Sequence, residues 1–271
     1  LQPEGPNVAR TQELFNAVFK ATNTNVVHLL YEIPQQDDFH DLRQLLEMFQ
    51  ASPRFIGFLT GTPYKEYVEQ RLPAAKQATS MGTGLSFVWK DRDGRIAGVN
   101  EEGQVWVEDY LARHGADALS GKTVTIIGGA GAVGSAIAEA LAGRQDVRAI
   151  HLMDRESSRL GHVGAKLAGA HPGVTLHVHG PQDQAYNDAV GQSDLIINAS
   201  GVGKDDRDPS LLPDSTHAAI RPGCVVVDLN YRLPTNAFLR DAQERGAITE
   251  NGEQFLLANA ARGAARILQA T

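Results

Sequence analysis

The spacing of apolar residues predicts helices and short strands in the first hundred positions of the chain. Leu14, Val18 and Phe19 fall on one face of a helix, and the DRDG run at residues 91–94 predicts a tight turn between two strands. The segments predicted in this way are helices over residues 12–22, 38–50 and 65–70, and strands over residues 25–31, 55–59, 85–89 and 95–99. This part of the chain is therefore expected to form a small α/β domain.

The pattern becomes more regular after Gly103, where β-branched runs alternate with helical segments. The predicted strands cover residues 123–127, 149–153, 174–178, 195–199 and 224–228, and the predicted helices cover residues 105–115, 132–143, 157–168, 235–246 and 252–269. Such alternation predicts an α/β fold with a doubly wound parallel sheet and helices on both faces. The expected domains are residues 1–104, residues 105–240, and a C-terminal helical segment, residues 241–271, that returns to the first domain.

Composition narrows the range of partners. The 25 basic and 32 acidic side chains give a net charge of −7, which argues against a nucleic-acid partner because no basic surplus is present to neutralise phosphates. The apolar runs are shorter than the roughly 20 residues that a bilayer span requires, so no membrane partner is expected. The single cysteine, Cys224, excludes an intramolecular disulfide and a multi-cysteine zinc site.

A glycine-rich turn follows the first predicted strand of the parallel sheet. The run GGAGAVG at residues 128–134 contains the pattern G-x-G-x-x-G, in which glycines permit a tight turn, a close approach of backbone to pyrophosphate, and close packing of helix on strand. The positive end of the next helix would face the phosphates. The residues expected to bind a dinucleotide here are Gly129, Ala130, Gly131, Ala132, Val133 and Gly134.

Asp154 lies twenty residues beyond the last of these glycines, at the end of the next predicted strand. A carboxylate at this place accepts hydrogen bonds from the adenosine ribose hydroxyls and repels a 2′-phosphate, which favours NAD over NADP. Arg155 and Arg159 follow it, and they could cradle the 2′-phosphate of NADP if Asp154 turned away. The cofactor is therefore expected to be NAD or NADP, with NAD favoured.

Several ordered motifs resemble those of the shikimate dehydrogenase family, and together they cover nearly the whole chain. They are PYKE at residues 63–66, NEEG at residues 100–103, NAS at residues 198–200, DLNY at residues 228–231, and the tail helix over residues 252–260. The resemblance implies an NAD(P)-dependent oxidoreductase of the shikimate or quinate dehydrogenase type. Its N-terminal domain would bind the substrate, and its second domain would be a Rossmann-type dinucleotide-binding domain.

The resemblance also implies roles for individual residues. Hydride would pass between the nicotinamide and a secondary alcohol or ketone of a cyclic hydroxy acid, with Lys65 as the acid–base residue and Glu102 as its partner. Glu101 is an alternative partner. Asn198, Ala199 and Ser200 would lie beside the nicotinamide. The residues expected to bind substrate are Thr11, Thr62, Asn100, Tyr231 and Asn259.

The sequence departs from the family mainly in the expected substrate pocket. The family's Ser-x-Ser aligns with residues 9–11, where only Thr11 keeps a hydroxyl, and a family asparagine aligns with Leu85. An unmet buried polar group costs about 1–3 kcal/mol, so several such losses would weaken shikimate binding. The reaction class is therefore better defined than the substrate, and another cyclic hydroxy or keto compound is an alternative.

Other functions have less support in the sequence. A nucleotide-binding regulatory protein that lost its chemistry is one alternative, and a dehydrogenase of a folate-like substrate is another. His177 and His179 share one face of a predicted strand, where histidines are usually surface residues, and no carboxylate cluster accompanies them, so no metal is expected. The protein is expected to act on a small molecule in the cytoplasm, as a monomer or homodimer.

Overall fold

The chain folds into alternating helices and strands, and the computed structural model describes residues 8–31, 33, 39–61, 63–77, 82–180 and 185–270. In chain order the elements are α1 (Val8–Ala21), α2 (His40–Ala51), β1 (Gly57–Leu59), α3 (Lys65–Arg71), a 3₁₀ turn (Pro73–Ala75), β2 (Phe87–Lys90), β3 (Ile96–Val99), α4 (Glu102–His114), β4 (Thr123–Ile127), α5 (Ala132–Gly143), β5 (Ala149–Met153), α6 (Ser157–Ala170), β6 (Leu176–His179), α7 (Ala185–Gln192), β7 (Leu195–Asn198), α8 (Asp214–His217), β8 (Val225–Asp228), α9 (Ala237–Glu244), β9 (Ile248–Glu250) and α10 (Glu253–Ala270). They divide between two units.

The first unit contains the described residues up to Gln77, Gly84–Val99, and the chain from Leu257 onward. Its described strands form an antiparallel sheet in the order β1-β2-β3. The tight turn between β2 and β3 is as predicted: the N–H of Gly94, at φ +77°, donates to the carbonyl of Asp91 over 2.9 Å. The C-terminal part of α10 packs its apolar side against the aromatic residues of this unit.

The second unit contains Asn100–Leu256 together with Gly82 and Thr83. Its described strands are all parallel, in the order β6-β5-β4-β7-β8-β9. Adjacent residues of one strand point to opposite faces. Thus Ile126 joins a core with α5 and α6, whereas Ile127 joins a core with α7 and α9. The prediction of a doubly wound α/β fold is confirmed.

The strand predicted over residues 25–31 is wrong. This segment pairs with no described strand, and Leu29, for example, is 70% exposed. The side chain of Asn16 takes the place of a strand partner: its Nδ2 donates to the carbonyl of His28 over 2.9 Å, and its Oδ1 accepts from the N–H of His28 over 2.7 Å. The apolar run thus has strand propensity but lacks the non-local pairing that makes a strand.

The remaining differences are shifts in element ends, such as α4, which begins at Glu102 and not at residue 105, and short elements that the sequence does not predict. Helices α7 and α8 and strand β9 have no counterpart in the sequence-based prediction. Helix α7 carries only two buried apolar residues, which is too weak a pattern to predict a helix. No helix among the described residues is both long enough and apolar enough to cross a bilayer.

Three histidines gather on β5 and β6. His177 is exposed as predicted, but His179 is buried, and its Nε2 is hydrogen-bonded to Nδ1 of His151 over 2.9 Å. Burial, and then the charges of His177 and His179, lower the pKa of His151 to about 4. Among the described residues, no group of three or more potential ligands is arranged to hold a metal ion.

The low pKa of His151 makes stability depend on pH. Because the folded state resists protonation of His151 and the unfolded chain does not, stability is lost as the pH falls from the ordinary value of 6.5 towards 4. Between pH 7 and pH 5 this residue is expected to remove about 2 kcal/mol from the free energy of unfolding. Urea unfolding of the wild type and of His151→Gln at both pH values measures the difference. His162→Gln, at an exposed histidine, is the control and should keep the wild-type pH dependence; an equal dependence in His151→Gln would refute the assignment.

Candidate active site

The glycine-rich turn joins β4 to α5 through a hydrogen-bonded backbone loop. The N–H groups of Gly128 and Gly129 both donate to the carbonyl of Met153, over 2.8 and 3.0 Å. Gly128 has φ +82°, a conformation that side chains rarely adopt. The loop is therefore fixed at the carboxyl ends of β4 and β5.

The last glycine of the motif brings α5 against this loop. A Cβ atom on Gly134 would lie 2.3 Å from the carbonyl oxygen of Gly128, so that no larger residue fits. Gly131 is the N-cap residue of α5, and because glycine has no side chain it cannot cap the first N–H groups of the helix. The first turn, with half-buried Ala132 and Val133, thus offers backbone N–H groups and the positive end of the helix dipole, which fit a pyrophosphate.

Asp154 lies directly after β5 and is tied to the same loop. Its Oδ2 accepts from the N–H of Ala130 over 3.0 Å, and its Oδ1 accepts from the N–H of Glu156 over 3.1 Å. The carboxylate is only half-buried, and its oxygens retain lone pairs for further donors. Arg155 is exposed and Arg159 is half-buried. These groups fit an adenosine ribose beside the pyrophosphate position.

The loop after β7 lies on the other side of β4. Asn198 is fully buried, and its Oδ1 accepts from both the N–H and the hydroxyl of Ser200, over 2.9 and 2.6 Å. A Cβ on Gly128 would lie 2.6 Å from the nitrogen of Ser200, which places the two loops in contact. Ala199 and Ser200 are half-buried. Both loops lie at the point where the sheet changes winding direction, which is the usual ligand crevice of such sheets.

Lys65 is the first residue of α3, in the first unit, and only 5% of its surface is exposed. Its carbonyl accepts from the N–H of Leu85 over 3.0 Å. Gly84, the residue before Leu85, has φ +77°, and a Cβ atom there would lie 2.6 Å from the Cβ of Lys65. Glu69 Oε2 accepts from the N–H of Gly84 over 2.5 Å and so fastens this segment to α3.

The carboxylates at the predicted partner position belong to the second unit. Asn100 is fully buried, and its Nδ2 donates to the carbonyls of Thr83 and Ala132, over 3.0 and 3.4 Å. Its Oδ1 accepts from the N–H of Glu102. Asn100 therefore orders the start of α4 within its own unit. Glu101 is buried and Glu102, the first residue of α4, is half-buried.

The other predicted substrate residues are spread over both units. Thr11 on α1 and Asn259 on α10 are half-buried residues of the first unit. Tyr231 is a half-buried residue of the second, and burial raises the pKa of its hydroxyl. Thr62 lies outside the described residues. Their substrate contacts stay predictions.

Sequence reasoning missed residues that hold the predicted ones in place. Glu69 and Gly84 hold Lys65, and they lie 15 residues apart. In the sequence, Asp228 stands out only as part of a motif, and no pattern points to Asn236. Both belong to the hydrogen-bond network behind Asn198. The buried asparagine–aspartate pairing is not visible in sequence, because its members come from separate strand ends.

Known proteins resemble this chain over most of its length. A family model described as the saccharopine dehydrogenase NADP binding domain matches residues 124–262, which include the glycine-rich turn and Asp154. A curated relative, shikimate dehydrogenase (NADP(+)) of Streptococcus gordonii, is 31% identical over 248 residues, which are 90% of this chain and 81% of the relative.

Solved structures share the fold over almost the whole chain. Shikimate 5-dehydrogenase from Listeria monocytogenes, in complex with shikimate and NAD, has a TM-score of 0.79 at 22% identity and covers 97% of this chain and 88% of that one. The 5-ketofructose reductase of a Gluconobacter strain has a TM-score of 0.76 at 20% identity and covers 100% of this chain and 91% of that one.

Proposed function

The chain belongs to the shikimate dehydrogenase family and is an NAD(P)-dependent oxidoreductase, and from that premise we propose that it interconverts a secondary alcohol and a ketone on a cyclic hydroxy acid, with Lys65 as the acid–base residue. The main observation in support of this proposal is that Lys65 is buried. Lysine side chains are rarely buried without a reason, because desolvation of the ammonium is costly. Here the backbone of residues 84–85 holds Lys65 at the start of α3.

The proposed binding and catalytic roles fall on residues of both units. The nicotinamide, when bound, gives or accepts hydride at its C4 atom. The N-terminus of α5 would hold the pyrophosphate, Asp154 would hold the adenosine ribose, and the loop after β7 would line the nicotinamide end. Lys65 takes the hydroxyl proton during oxidation and returns it during reduction. The carboxylate proposed as the partner of this lysine is that of Glu102, with Glu101 as the alternative.

The unit with Lys65 serves as the substrate domain, and the other unit as the dinucleotide-binding domain. Nicotinamide dinucleotides are cytoplasmic metabolites, so we place the enzyme in the cytoplasm, as a monomer or homodimer. Its partner is a small molecule, in keeping with the net charge of −7.

The substrate is proposed to be shikimate, quinate or a close relative, and a keto sugar is the second candidate. Leu85 weakens the case for shikimate itself, because it stands where the family has a polar asparagine and is fully buried in an apolar cluster. Of the two hydroxyl residues that the family has near its N-terminus, only one is present here, as Thr11. Because an unmet buried polar group costs about 1–3 kcal/mol, these losses weaken binding of shikimate and leave room for a substrate whose polar groups are arranged differently, such as a keto sugar.

Initial rates with a panel of substrates test this proposal. Reduced-nicotinamide absorbance is followed with NAD or NADP and either shikimate or quinate, and with NADH or NADPH and 5-ketofructose. Turnover of shikimate or quinate at the highest kcat/KM supports the first candidate. A higher kcat/KM on the keto sugar supports the second. Absence of turnover on all three, in a protein that binds dinucleotide, would contradict both.

Asp154 is proposed to make NAD the preferred cofactor. Its carboxylate would repel the 2′-phosphate of NADP, so Asp154→Ser is expected to raise the NADP to NAD ratio of kcat/KM by about 10–100-fold. Steady-state kinetics with both cofactors measures the ratio. Asp188→Ser, at an exposed carboxylate of α7, is the control and should leave it unchanged. A wild type that already prefers NADP, with no change in Asp154→Ser, would show that Arg155 and Arg159 decide the preference instead.

A further inference from the structure

A fully buried carboxylate lies behind the loop that follows β7. Asp228, the last residue of β8, accepts four N–H hydrogen bonds. Its Oδ1 accepts from Nδ2 of Asn198 over 3.1 Å, and from both the backbone N–H and Nδ2 of Asn230 over 2.8 Å each. Its Oδ2 accepts from Nδ2 of Asn236 over 2.6 Å. Asp228 thus orients three asparagine amides at once.

Each of these amides uses its second N–H to hold the loop. Nδ2 of Asn198 and Nδ2 of Asn230 donate to the carbonyl of Val202, over 3.1 and 2.8 Å. Nδ2 of Asn236 donates to the carbonyl of Gly203 over 2.9 Å. With both amide protons engaged, each asparagine has one orientation that satisfies all its donors.

The same orientation sets the position of Ser200. Because Nδ2 of Asn198 faces Asp228 and Val202, its Oδ1 must face the other way, where it accepts from the N–H and the hydroxyl of Ser200. Burial raises the pKa of Asp228, and the four hydrogen bonds oppose that rise. The four hydrogen bonds offset the cost of desolvating this carboxylate, and the same bonds order residues 199–203.

The order of the strands assigns this loop to one end of the cofactor. In the sheet β4 lies between β5 and β7. A dinucleotide with its pyrophosphate on α5, after β4, and its adenosine on Asp154, after β5, would extend its nicotinamide towards β7. Residues 199–203 would then meet the nicotinamide half and not the adenosine half.

We propose that Asp228 is a positioning residue for the nicotinamide: through Asn198, Asn230 and Asn236 it fixes the loop of residues 199–203 that receives the nicotinamide ring. The inference rests on the proposed function. It predicts that loss of the Asp228 carboxylate weakens binding of the whole dinucleotide but not of its adenosine half. A general loss of structure would weaken both.

The test compares NADH with ADP-ribose, which lacks the nicotinamide, by titration calorimetry; if the wild type prefers NADPH, that cofactor and 2′-phospho-ADP-ribose are used. In Asp228→Asn, an amide donor faces the asparagine donors, and the affinity for NADH is expected to fall about tenfold or more while that for ADP-ribose stays within about twofold. Asn236→Ser gives a second reading if Asp228→Asn does not fold. It removes the amide donor but keeps an oxygen to cap α9 at Leu239, where Asn236 now accepts from the N–H.

Asp194→Asn is the matched control. Asp194 directly precedes β7, the strand that ends at Asn198, and lies at the amino ends of the parallel strands, where its Oδ2 accepts from the N–H of Thr123 over 2.8 Å. Both affinities should stay at the wild-type value in this variant. Equal weakening of NADH and ADP-ribose in the Asp228 and Asn236 variants, or no change in either, would overturn the inference. A wild type that binds neither dinucleotide would instead overturn the proposed function itself.

Discussion

Replacement of Lys65 by methionine lowers kcat by about 10²–10⁴-fold, the usual contribution of a general acid–base residue. Methionine keeps the length and apolar contacts of the lysine stem, and it removes the amino group that carries the proton. Because the glycine-rich turn and Asp154 belong to the other unit, the affinity for dinucleotide is expected to stay within about twofold. Steady-state kinetics and NADH titration on the same preparation measure both quantities.

Lys20→Met is the matched control for this variant. Lys20 is an exposed lysine of α1 in the same unit as Lys65, and its replacement should leave kcat unchanged. A folded Lys65→Met variant with at least a third of the wild-type kcat would exclude Lys65 as the proton carrier. A large loss in both variants would point to a general effect of removing positive charge from this unit.

The second large effect is expected at the glycine-rich turn. In Gly134→Ala the new Cβ lies 2.3 Å from the carbonyl oxygen of Gly128 and 2.9 Å from its carbonyl carbon, and both neighbours are backbone. The turn and the start of α5 must move apart, and N–H groups aimed at the pyrophosphate are lost. Loss of one or two hydrogen bonds to a charged group costs about 3 kcal/mol, which weakens dinucleotide binding about 100-fold. Titration with NADH measures it.

Gly143→Ala provides the matched control at the other end of α5. A Cβ there would meet only a ring carbon of His171 at 3.8 Å, an ordinary contact. Because alanine favours helix over glycine, this variant should be as stable as the wild type or slightly more stable, with unchanged affinity. If Gly134→Ala bound NADH as tightly as Gly143→Ala does, the pyrophosphate would have to lie away from the turn.

The parts of the fold that follow from local sequence were predicted closely. Strands β4 and β5 and helix α5 begin and end at the predicted residues, because β-branched runs, a glycine turn and an apolar helix occur there in direct succession. The segment of residues 25–31 shows the opposite case. Its composition favours a strand, but a strand also needs a partner, and the amide of Asn16 occupies the backbone of His28 instead.

The residues of the candidate site also divide into those that the sequence predicts and those that it does not. Asp154 and the glycines are predictable because their spacing within one βαβ unit follows from the chemistry of the dinucleotide. The supports of Lys65 and Asn198 are not predictable in this way. Glu69 meets Gly84, and Asp228 meets Asn198, only after separate segments have folded together. A single polar residue in a helix or at a strand end carries no periodic signal from which such contacts can be inferred.

The reaction proposed for this enzyme is direct hydride transfer between the nicotinamide and a carbinol carbon of the substrate. Mass spectrometry of the alcohol formed from the ketone of the preferred substrate, with a reduced dinucleotide deuterated at the transferable C4 position, tests it most directly. We expect one deuterium per product molecule, bound to the carbinol carbon, and no label when the opposite C4 position is deuterated. A product without deuterium from either cofactor would contradict direct hydride transfer.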